Sequence, residues 1–167
     1  GSLLLQHWVP DFDCLMVTRM KAAGCIVIGK TNVPEFGLGS HTFNDVFGHT
    51  RNPFDLSRTA GGSSGGAAAA LATRMLPVAD GSDYMGSLRN PAAWNNIFGF
   101  RPSQGRVPSL PERDGYLGTL STEGPMGRTV LDVALLLGTQ AGYEARSPLS
   151  LTGRLDEFAS VAAARRS

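Results

Sequence analysis

The sequence has few of the residues that build disulfide frameworks, metal centres or membrane spans. It contains only 2 cysteines, Cys14 and Cys25, without CxxC spacing, so we expect free thiols packed in a core and a reducing, cytoplasmic location. Its 3 histidines lie far apart, which predicts no metal site. No apolar run approaches the roughly 20 residues of a membrane span, and the N-terminal leucines lack the basic flank of a signal peptide.

Neither sign of charge dominates the chain. There are 15 basic and 14 acidic residues, and basic residues do not alternate with aromatic ones, so neither nucleic acid nor membrane is expected as a partner. The length of 167 residues is enough for one domain with a core. We therefore treat residues 1–167 as a single domain without internal repeats.

The order of apolar runs and turns predicts an α/β fold. Short continuous apolar runs at 25–28, 76–79 and 97–100 are typical of buried strands. Segments with helical spacing alternate with them, which favours a mixed, mainly parallel sheet flanked by helices. Long loops are expected at 33–60 and 101–121. The predicted helices are 13–23, capped by Asp13, 64–75, 87–94, one capped by Thr129 and ended by Gly142, and a weaker one at 155–164.

Two glycine-rich turns carry serines. Residues 61–66 read Gly-Gly-Ser-Ser-Gly-Gly, and residues 80–92 read Asp-Gly-Ser-Asp-Tyr-Met-Gly-Ser-Leu-Arg-Asn-Pro-Ala. Glycine beside a hydroxyl lets another backbone or a substrate approach closely. The first turn also fits a flexible linker or a phosphate cradle. However, it abuts an alanine-rich helix and lacks the lysine of a P-loop, so a reactive site is the better interpretation.

Ser87 and Lys30 are the candidate reactive side chains. Ser87 opens a predicted helix, where the N–H groups of Tyr84, Met85, Gly86 and Ser87 are placed to bind an oxyanion, although a helix cap is the alternative. Lys30 follows the strand 25–28, at the sheet edge where α/β sites form. Lysine can serve as base for a serine when it is neutral, which burial favours. Taken alone, Lys30 fits a surface lysine better than a base, and its position after an apolar strand is what makes it a candidate.

These two turns and the segment Gly29-Lys30-Thr31-Asn32 resemble the amidase signature family. The resemblance extends over about residues 10–145 in six ordered blocks. Its flanking blocks are Val33-Pro34-Glu35-Phe36, Arg51-Asn52-Pro53, Gly99-Phe100-Arg101-Pro102-Ser103 and Gly124-Pro125-Met126-Gly127-Arg128-Thr129-Val130.

The resemblance implies hydrolysis of a small-molecule amide without cofactor or metal. Ser87 matches the nucleophile, Ser63 the bridging serine after a cis peptide bond, and Lys30 the base. In the implied reaction, neutral Lys30 takes a proton from Ser63, which takes one from Ser87. The resulting acyl-enzyme is cleared by water.

Further residues around the nucleophile are expected to support it. The resemblance implies a hydrogen-bonding role for Ser64. Asp83 and Arg89 flank Ser87 and are expected to pair and hold its turn, with a plain surface ion pair as the alternative. The family usually has two glycines before the nucleophile, whereas this chain has Met85-Gly86. Met85 is therefore expected to crowd the acyl pocket, or to strain the turn if a positive φ is needed there.

Two other interpretations stay open. Enzymes of the family are much longer, so the chain is expected to be an internal piece of the catalytic core, incomplete at both ends, with a homodimer as one possible assembly. It also fits an inactive truncated paralogue or a partner-binding fragment. A third interpretation is the glutamine-amidase subunit of a tRNA amidotransferase, which shares the triad.

Overall fold

The computed structural model describes residues 1–111 and 118–153, together with residues 158 and 160. Within these ranges there are four α-helices, seven strands and three single turns of 3-10 helix. The helices are α1 (Leu15–Ala22), α2 (Gly65–Ala72), α3 (Arg89–Trp94) and α4 (Val130–Gln140). The strands are β1 (Phe43–Asn44), β2 (Gly48–His49), β3 (Arg51–Asn52), β4 (Asp55–Thr59), β5 (Val78–Asp83), β6 (Phe98–Gly99) and β7 (Thr122–Gly127).

The main sheet has three strands in the order β5–β7–β6, and both contacts of β7 are antiparallel. The prediction of a mainly parallel sheet is therefore wrong for the described residues. Strands β5 and β6 do run in the same direction, joined through α3, but β7 lies between them. The sequence of β7 reads Thr-Glu-Gly-Pro-Met-Gly, which has none of the β-branched alternation that predicts a strand, so the sequence did not indicate it.

The core lies where α2 and α3 pack against the sheet. Its largest members, Leu71, Leu88 and Met126, have no exposed surface. They are joined by Ala67, Ala68 and Ala92. The small side chains of α2 let it lie close to β5, so the glycine-rich turn at its beginning is held directly beside the end of that strand.

The segment 25–28 does not form the buried strand that was predicted. It is extended, and Ile26 and Ile28 are 86% and 71% exposed. An apolar run becomes a buried strand only when another strand pairs with it, and none of the described strands does so. The prediction used the composition of the segment correctly but assumed a neighbour for it.

The predicted loop 33–60 contains two small hairpins, β1–β2 and β3–β4, so it is more ordered than expected. Asparagine side chains form their turns: Asn44 Oδ1 accepts from the N–H groups of Val46 and Phe47, and Asn52 Oδ1 accepts from that of Phe54. In the predicted loop 101–121, residues 112–117 lie outside the described part, and Gly118–Leu120 form one 3-10 turn.

The helices occur where they were predicted, with shifted ends. Thr129 caps α4 as expected, and its hydroxyl and the Asp132 carboxylate form a reciprocal capping box. Asp13 does not cap α1; its carboxylate pairs with Lys21 at 2.6 Å. Helix α2 ends earlier than predicted, where the Arg128 guanidinium donates to the carbonyls of Leu71 and Leu76. Most of the predicted helix 155–164 lies outside the described residues.

Candidate active site

Ser63 and Ser64 lie on a buried turn at the start of α2. The Gly62–Ser63 peptide bond is cis, at the position that the resemblance implied. Both serines are at most 5% exposed. The Thr42 hydroxyl donates to the Ser63 carbonyl at 3.2 Å and accepts from the N–H of Gly65 at 3.1 Å. The Ser63 hydroxyl has no hydrogen-bond partner among the described residues.

Ser64 contacts the end of β5. Its hydroxyl oxygen lies 3.4 Å from both the N–H and the carbonyl of Ser82. A Cβ at Gly81 would lie 2.6 Å from the same oxygen and 2.7 Å from a methyl carbon of Leu88, so any side chain there would displace both. Ser64 thus fixes the distance between the glycine-rich turn and the strand that leads to Ser87.

Ser87 lies on a second turn that is joined to the first. The N–H of Ser64 donates to the Ser87 carbonyl at 3.2 Å. Ser87 is half-buried, and its hydroxyl has no partner in the described part of the chain. Helix α3 begins at Arg89 with Leu88 as N-cap and no side-chain cap, so the alternative interpretation of Ser87 as a helix cap is wrong.

The buried carboxylate of Asp83 organises the turn of Ser87. It has no exposed surface and accepts from the N–H groups of Gly86 at 2.7 Å and Leu88 at 3.1 Å. The Arg89 guanidinium binds both of its oxygens, at 3.0 and 3.1 Å. Arg101 adds a second guanidinium, donating to the Asp83 carbonyl at 3.2 Å and lying 3.4 Å from the carboxylate. The pair of Asp83 and Arg89 is thus buried on the acidic side and is more than a surface ion pair.

These contacts also set the charge of Asp83. Burial alone would raise the pKa of its carboxyl group, but the hydrogen bonds from Arg89, Gly86 and Leu88 outweigh burial, and the pKa is lowered. Asp83 is therefore an anion at neutral pH. An anion acts only as an acceptor, which keeps the N–H groups of the turn oriented inward.

Fewer backbone N–H groups around Ser87 are available to bind an oxyanion than the sequence predicted. The Gly86 N–H is occupied by Asp83, so its prediction as an oxyanion donor is wrong in this structure. The N–H groups of Tyr84, Met85 and Ser87 have no acceptor among the described residues. Gly86 has a φ of +117°, whereas Met85 does not have a positive φ. The strain expected at Met85 is therefore absent, and its side chain is 82% exposed beside the turn.

Lys30 is exposed, and its ammonium has no hydrogen bond or ion pair with any described residue. The expected burial of Lys30 is wrong for this chain, because the extended segment before it lies uncovered at the surface. The residues that follow Lys30 are nevertheless tied to the serines. The N–H of Gly66 donates to the Asn32 carbonyl at 3.2 Å, and a Cβ at Gly66 would overlap the backbone nitrogen of Asn32.

The structure therefore joins the two serine turns to each other through Ser64 and Ser87, and joins the Lys30 segment to the first turn through Asn32 and Gly66. The Lys30 ammonium itself has no hydrogen bond to either turn. Sequence reasoning missed Thr42 and Asn32, which contact the first serine turn, and Arg101, which contacts Asp83 below the second. Asn32 and Arg101 belong to segments that carry the resemblance, which was the available signal. An open cavity of about 700 Å³ lies between the N-terminal residues and residues 34–45, and its lining includes none of Lys30, Ser63 and Ser87.

The described ranges contain neither a metal site nor a membrane-spanning helix. No group of three or more His, Cys, Asp or Glu side chains there is arranged to hold a metal ion. None of the helices in the same ranges has the length and apolar character needed to cross a bilayer.

Comparison with known proteins places this geometry in a family. The model of the Amidase family matches residues 1–165. The chain therefore belongs to the amidase signature family, and the resemblance inferred from its motifs is confirmed.

The chain is similar to enzymes and enzyme subunits that are about three times its length. One subunit of the glutamyl-tRNA(Gln) amidotransferase of Thermus thermophilus is 47% identical over 151 residues, which are 90% of this chain and 32% of that subunit. A bacterial aryl acylamidase of the amidase signature family superposes with a TM-score of 0.85 at 42% identity, covering 92% of this chain and 31% of the other. A 6-aminohexanoate cyclic dimer hydrolase also reaches a TM-score of 0.85, at 36% identity over 91% and 32% of the two chains. The chain thus spans about a third of the length of the curated relatives it matches.

Proposed function

We propose that the chain carries the amide-cleaving centre of an amidase signature enzyme, with Ser87 as nucleophile, Ser63 as proton relay and Lys30 as base. The observation that supports this most strongly is the hydrogen bond from the Ser64 N–H to the Ser87 carbonyl at 3.2 Å. It joins the two serine turns, so that the Ser63 and Ser87 hydroxyls belong to one constellation. Both hydroxyls lack partners among the described residues, as a relay and its nucleophile require before substrate binds.

The reaction proceeds by acyl transfer. The Ser87 oxygen attacks the amide carbon and its proton passes to Ser63, while the Ser63 proton passes to Lys30. The oxyanion that forms is stabilised by N–H groups without acceptors in the described part of the chain, those of Tyr84, Met85 and Ser87. The relay then returns a proton to the nitrogen, the C–N bond breaks and the amine leaves. Water attacks the Ser87 ester, which releases the acid and restores the serine.

The remaining predicted residues act on the turn that carries the nucleophile. Asp83, held by Arg89, keeps the Gly86 N–H pointing away from the oxyanion and the neighbouring ones available. Ser64 fixes the spacing of the two turns. Burial favours the neutral form in which a lysine acts as a base, whereas Lys30 is exposed. Its exposure in this chain therefore implies that full activity requires additional polypeptide over it.

A second candidate function is glutamine hydrolysis in an amidotransferase. It is favoured by relatives such as the Thermus thermophilus amidotransferase subunit, at 47% identity. Because that relative is one subunit of an amidotransferase, this function would include a partner subunit. The superposition on a bacterial aryl acylamidase at a TM-score of 0.85 favours a free-standing hydrolase instead. The two functions share the same cleavage chemistry and differ in substrate and partner.

Amide hydrolysis by the purified chain tests the proposal. Glutamine, a small aliphatic amide and an aryl acylamide would be incubated with the parent chain, with Ser87→Ala, and with Ser103→Ala as a matched control at an exposed serine. Slow release of ammonia or arylamine that disappears only in Ser87→Ala supports the proposal. Preference for glutamine favours the amidotransferase function. Equal release from the parent and Ser87→Ala contradicts the proposal.

Location and assembly belong to the same proposal. Cys14 and Cys25 are both free thiols, which supports a reducing, cytoplasmic location. A homodimer stays a prediction, and light scattering of the purified chain tests it.

A further inference from the structure

A small hairpin lies between the Lys30 segment and the serine turn. We name residues 42–50, which contain β1 and β2, the bridging hairpin. Phe43 pairs with His49, and the N–H of Thr50 donates to the Thr42 carbonyl at 2.9 Å. The bridging hairpin was not predicted from the sequence, and the proposed reaction gives it no part.

One side of the bridging hairpin holds Asn32. The Asn32 side-chain amide donates to the Gly48 carbonyl and the Thr50 hydroxyl, each at 3.1 Å. The Asn32 side-chain oxygen accepts from the side-chain amide of Asn44 at 2.6 Å. The Asn44 amide also donates to the Val33 carbonyl at 2.8 Å. Asn32 is therefore fixed through both ends of its side chain. Because it lies two residues after Lys30, these contacts also limit where the lysine backbone can lie.

The other side of the bridging hairpin holds the serine turn. Thr42 is 1% exposed. Its hydroxyl donates to the Ser63 carbonyl and accepts from the Gly65 N–H. These two bonds span Ser64, so they fix the backbone on both sides of it. A buried hydroxyl that satisfies one donor and one acceptor of a single turn leaves that turn little freedom.

We propose that Thr42 is a positioning residue of the amide-cleaving centre, acting through Ser63, and that the bridging hairpin sets the spacing between the Lys30 segment and the serine turn. This inference rests on the proposed function. Proton transfer along Lys30, Ser63 and Ser87 needs close spacing at each step, and a displacement of about 1 Å can cost about a hundredfold in rate. Thr42 and Asn32 are the side chains that connect the hairpin to the two parts of the relay.

The test compares two substitutions at position 42 in the complete chain. Thr42→Val keeps the shape but removes the hydroxyl, whereas Thr42→Ser keeps the hydroxyl. Thr73→Val is the matched control, since the Thr73 hydroxyl bonds to the Ala69 carbonyl at 2.8 Å at the far end of α2. The readout is the rate at which a fluorophosphonate probe labels Ser87, measured by intact mass and peptide mapping at several probe concentrations. The final extent of labelling and the far-ultraviolet circular dichroism of each variant report the folded fraction.

We expect Thr42→Val to lower the limiting labelling rate by about 10- to 100-fold, with the probe concentration at half-maximal rate nearly unchanged. Thr42→Ser should restore most of the rate, and Thr73→Val should label like the parent. In a Ser63→Ala background, Thr42→Val should add little further loss, because its effect passes through Ser63. A merely structural role would lower the amount of labelled protein and leave the rate of the folded fraction unchanged.

Each outcome decides a different claim. A parent chain that does not label at Ser87 overturns the proposed function and this inference with it. A parent that labels together with an equally fast Thr42→Val overturns the inference alone. Full additivity of Thr42→Val and Ser63→Ala also overturns it, because the two residues would then act independently.

Discussion

The backbone N–H of Ser64 donates to the carbonyl oxygen of Ser87 at 3.2 Å. This bond connects two turns that are more than twenty residues apart in the sequence. Each turn carries one hydroxyl without a partner in the described residues, on Ser63 and on Ser87. The site therefore depends on a tertiary contact between the two turns. Any change that separates the turns should reduce acylation of Ser87 before it unfolds the chain.

The first prediction concerns the carboxylate under the turn of Ser87. Asp83→Asn puts a neutral amide in place of an anion that accepts from the N–H groups of Gly86, Leu88 and Arg89 and from the Arg89 guanidinium. The anion also forms an ion pair with Arg101. Unpaired buried donors cost on the order of 1–3 kcal/mol, so we expect a loss of that size in the free energy of unfolding. Urea denaturation measures it. Asp55→Asn is the matched control, because the ion pair of Asp55 with Arg58 is exposed and should contribute little.

The same group predicts a pH dependence. The pKa of Asp83 is lowered from its ordinary value of 3.8 in the folded state, so the stabilisation is present above that ordinary value and is lost as pH falls through the folded pKa. Parent and Asp83→Asn should differ by a constant amount from about pH 7 to 5 and converge below about pH 4. A difference that is unchanged down to about pH 2.5 would contradict the assignment of Asp83 as the buried anion.

The second prediction ranks the relay residues. In a protein of full length, where additional polypeptide covers Lys30, Lys30→Ala should reduce acylation of Ser87 by orders of magnitude. Ser63→Ala should reduce it somewhat less, because a water molecule can bridge the position of a missing hydroxyl. Lys21→Ala is the control, since Lys21 is paired with Asp13 on α1, away from the site. Labelling rates across pH check the ranking. A Lys30→Ala profile with the same rate and shape as the parent would exclude Lys30 as the base.

Much of this architecture was predictable because short-range signals encode it. The cap at Thr129, the helical character of the alanine-rich segment after Ser64 and the two serine turns follow from local residue preferences. The motifs around Lys30, Ser63 and Ser87 indicate the family from the order of their residues alone.

What could not be predicted depends on contacts between distant segments. Strand β7 was missed because glycine and proline interrupt its pattern, and its insertion between β5 and β6 makes the sheet antiparallel. Whether Ile26 and Lys30 are buried or exposed depends on tertiary contacts with other segments. The local sequence does not specify those contacts. The use of the Gly86 N–H by Asp83 could not be foreseen either, since several neighbouring N–H groups were equally available to the carboxylate.

The third prediction concerns Met85. Its side chain is 82% exposed next to the nucleophile turn, at a position where the resemblance implies glycine. Met85→Gly should therefore broaden acceptance toward larger acyl groups and leave small aliphatic amides nearly unchanged. Acylation rates with a series of acyl donors of increasing size measure this. An equal response across all sizes would remove the steric explanation.

The fourth prediction concerns the exposed apolar segment 25–28. Ile26, Val27 and Ile28 are 86%, 51% and 71% exposed, and an uncovered extended apolar edge invites association. The isolated chain should bind a hydrophobic dye, melt with low cooperativity and cleave amides far more slowly than a relative of full length. The double variant Ile26→Thr/Ile28→Thr should bind less dye. A sharp melt with rapid turnover would instead define a self-sufficient minimal amidase.

The most direct test of Ser87 as the nucleophile is the site of covalent labelling. The parent chain, Ser87→Ala and the exposed-serine control Ser103→Ala would be incubated with a fluorophosphonate, digested and mapped by mass spectrometry. The proposed mechanism predicts one modified residue, Ser87, in the parent and in Ser103→Ala, and no specific modification in Ser87→Ala. Labelling that persists at the same rate in Ser87→Ala, or that maps to another serine in the parent, would contradict Ser87 as the nucleophile.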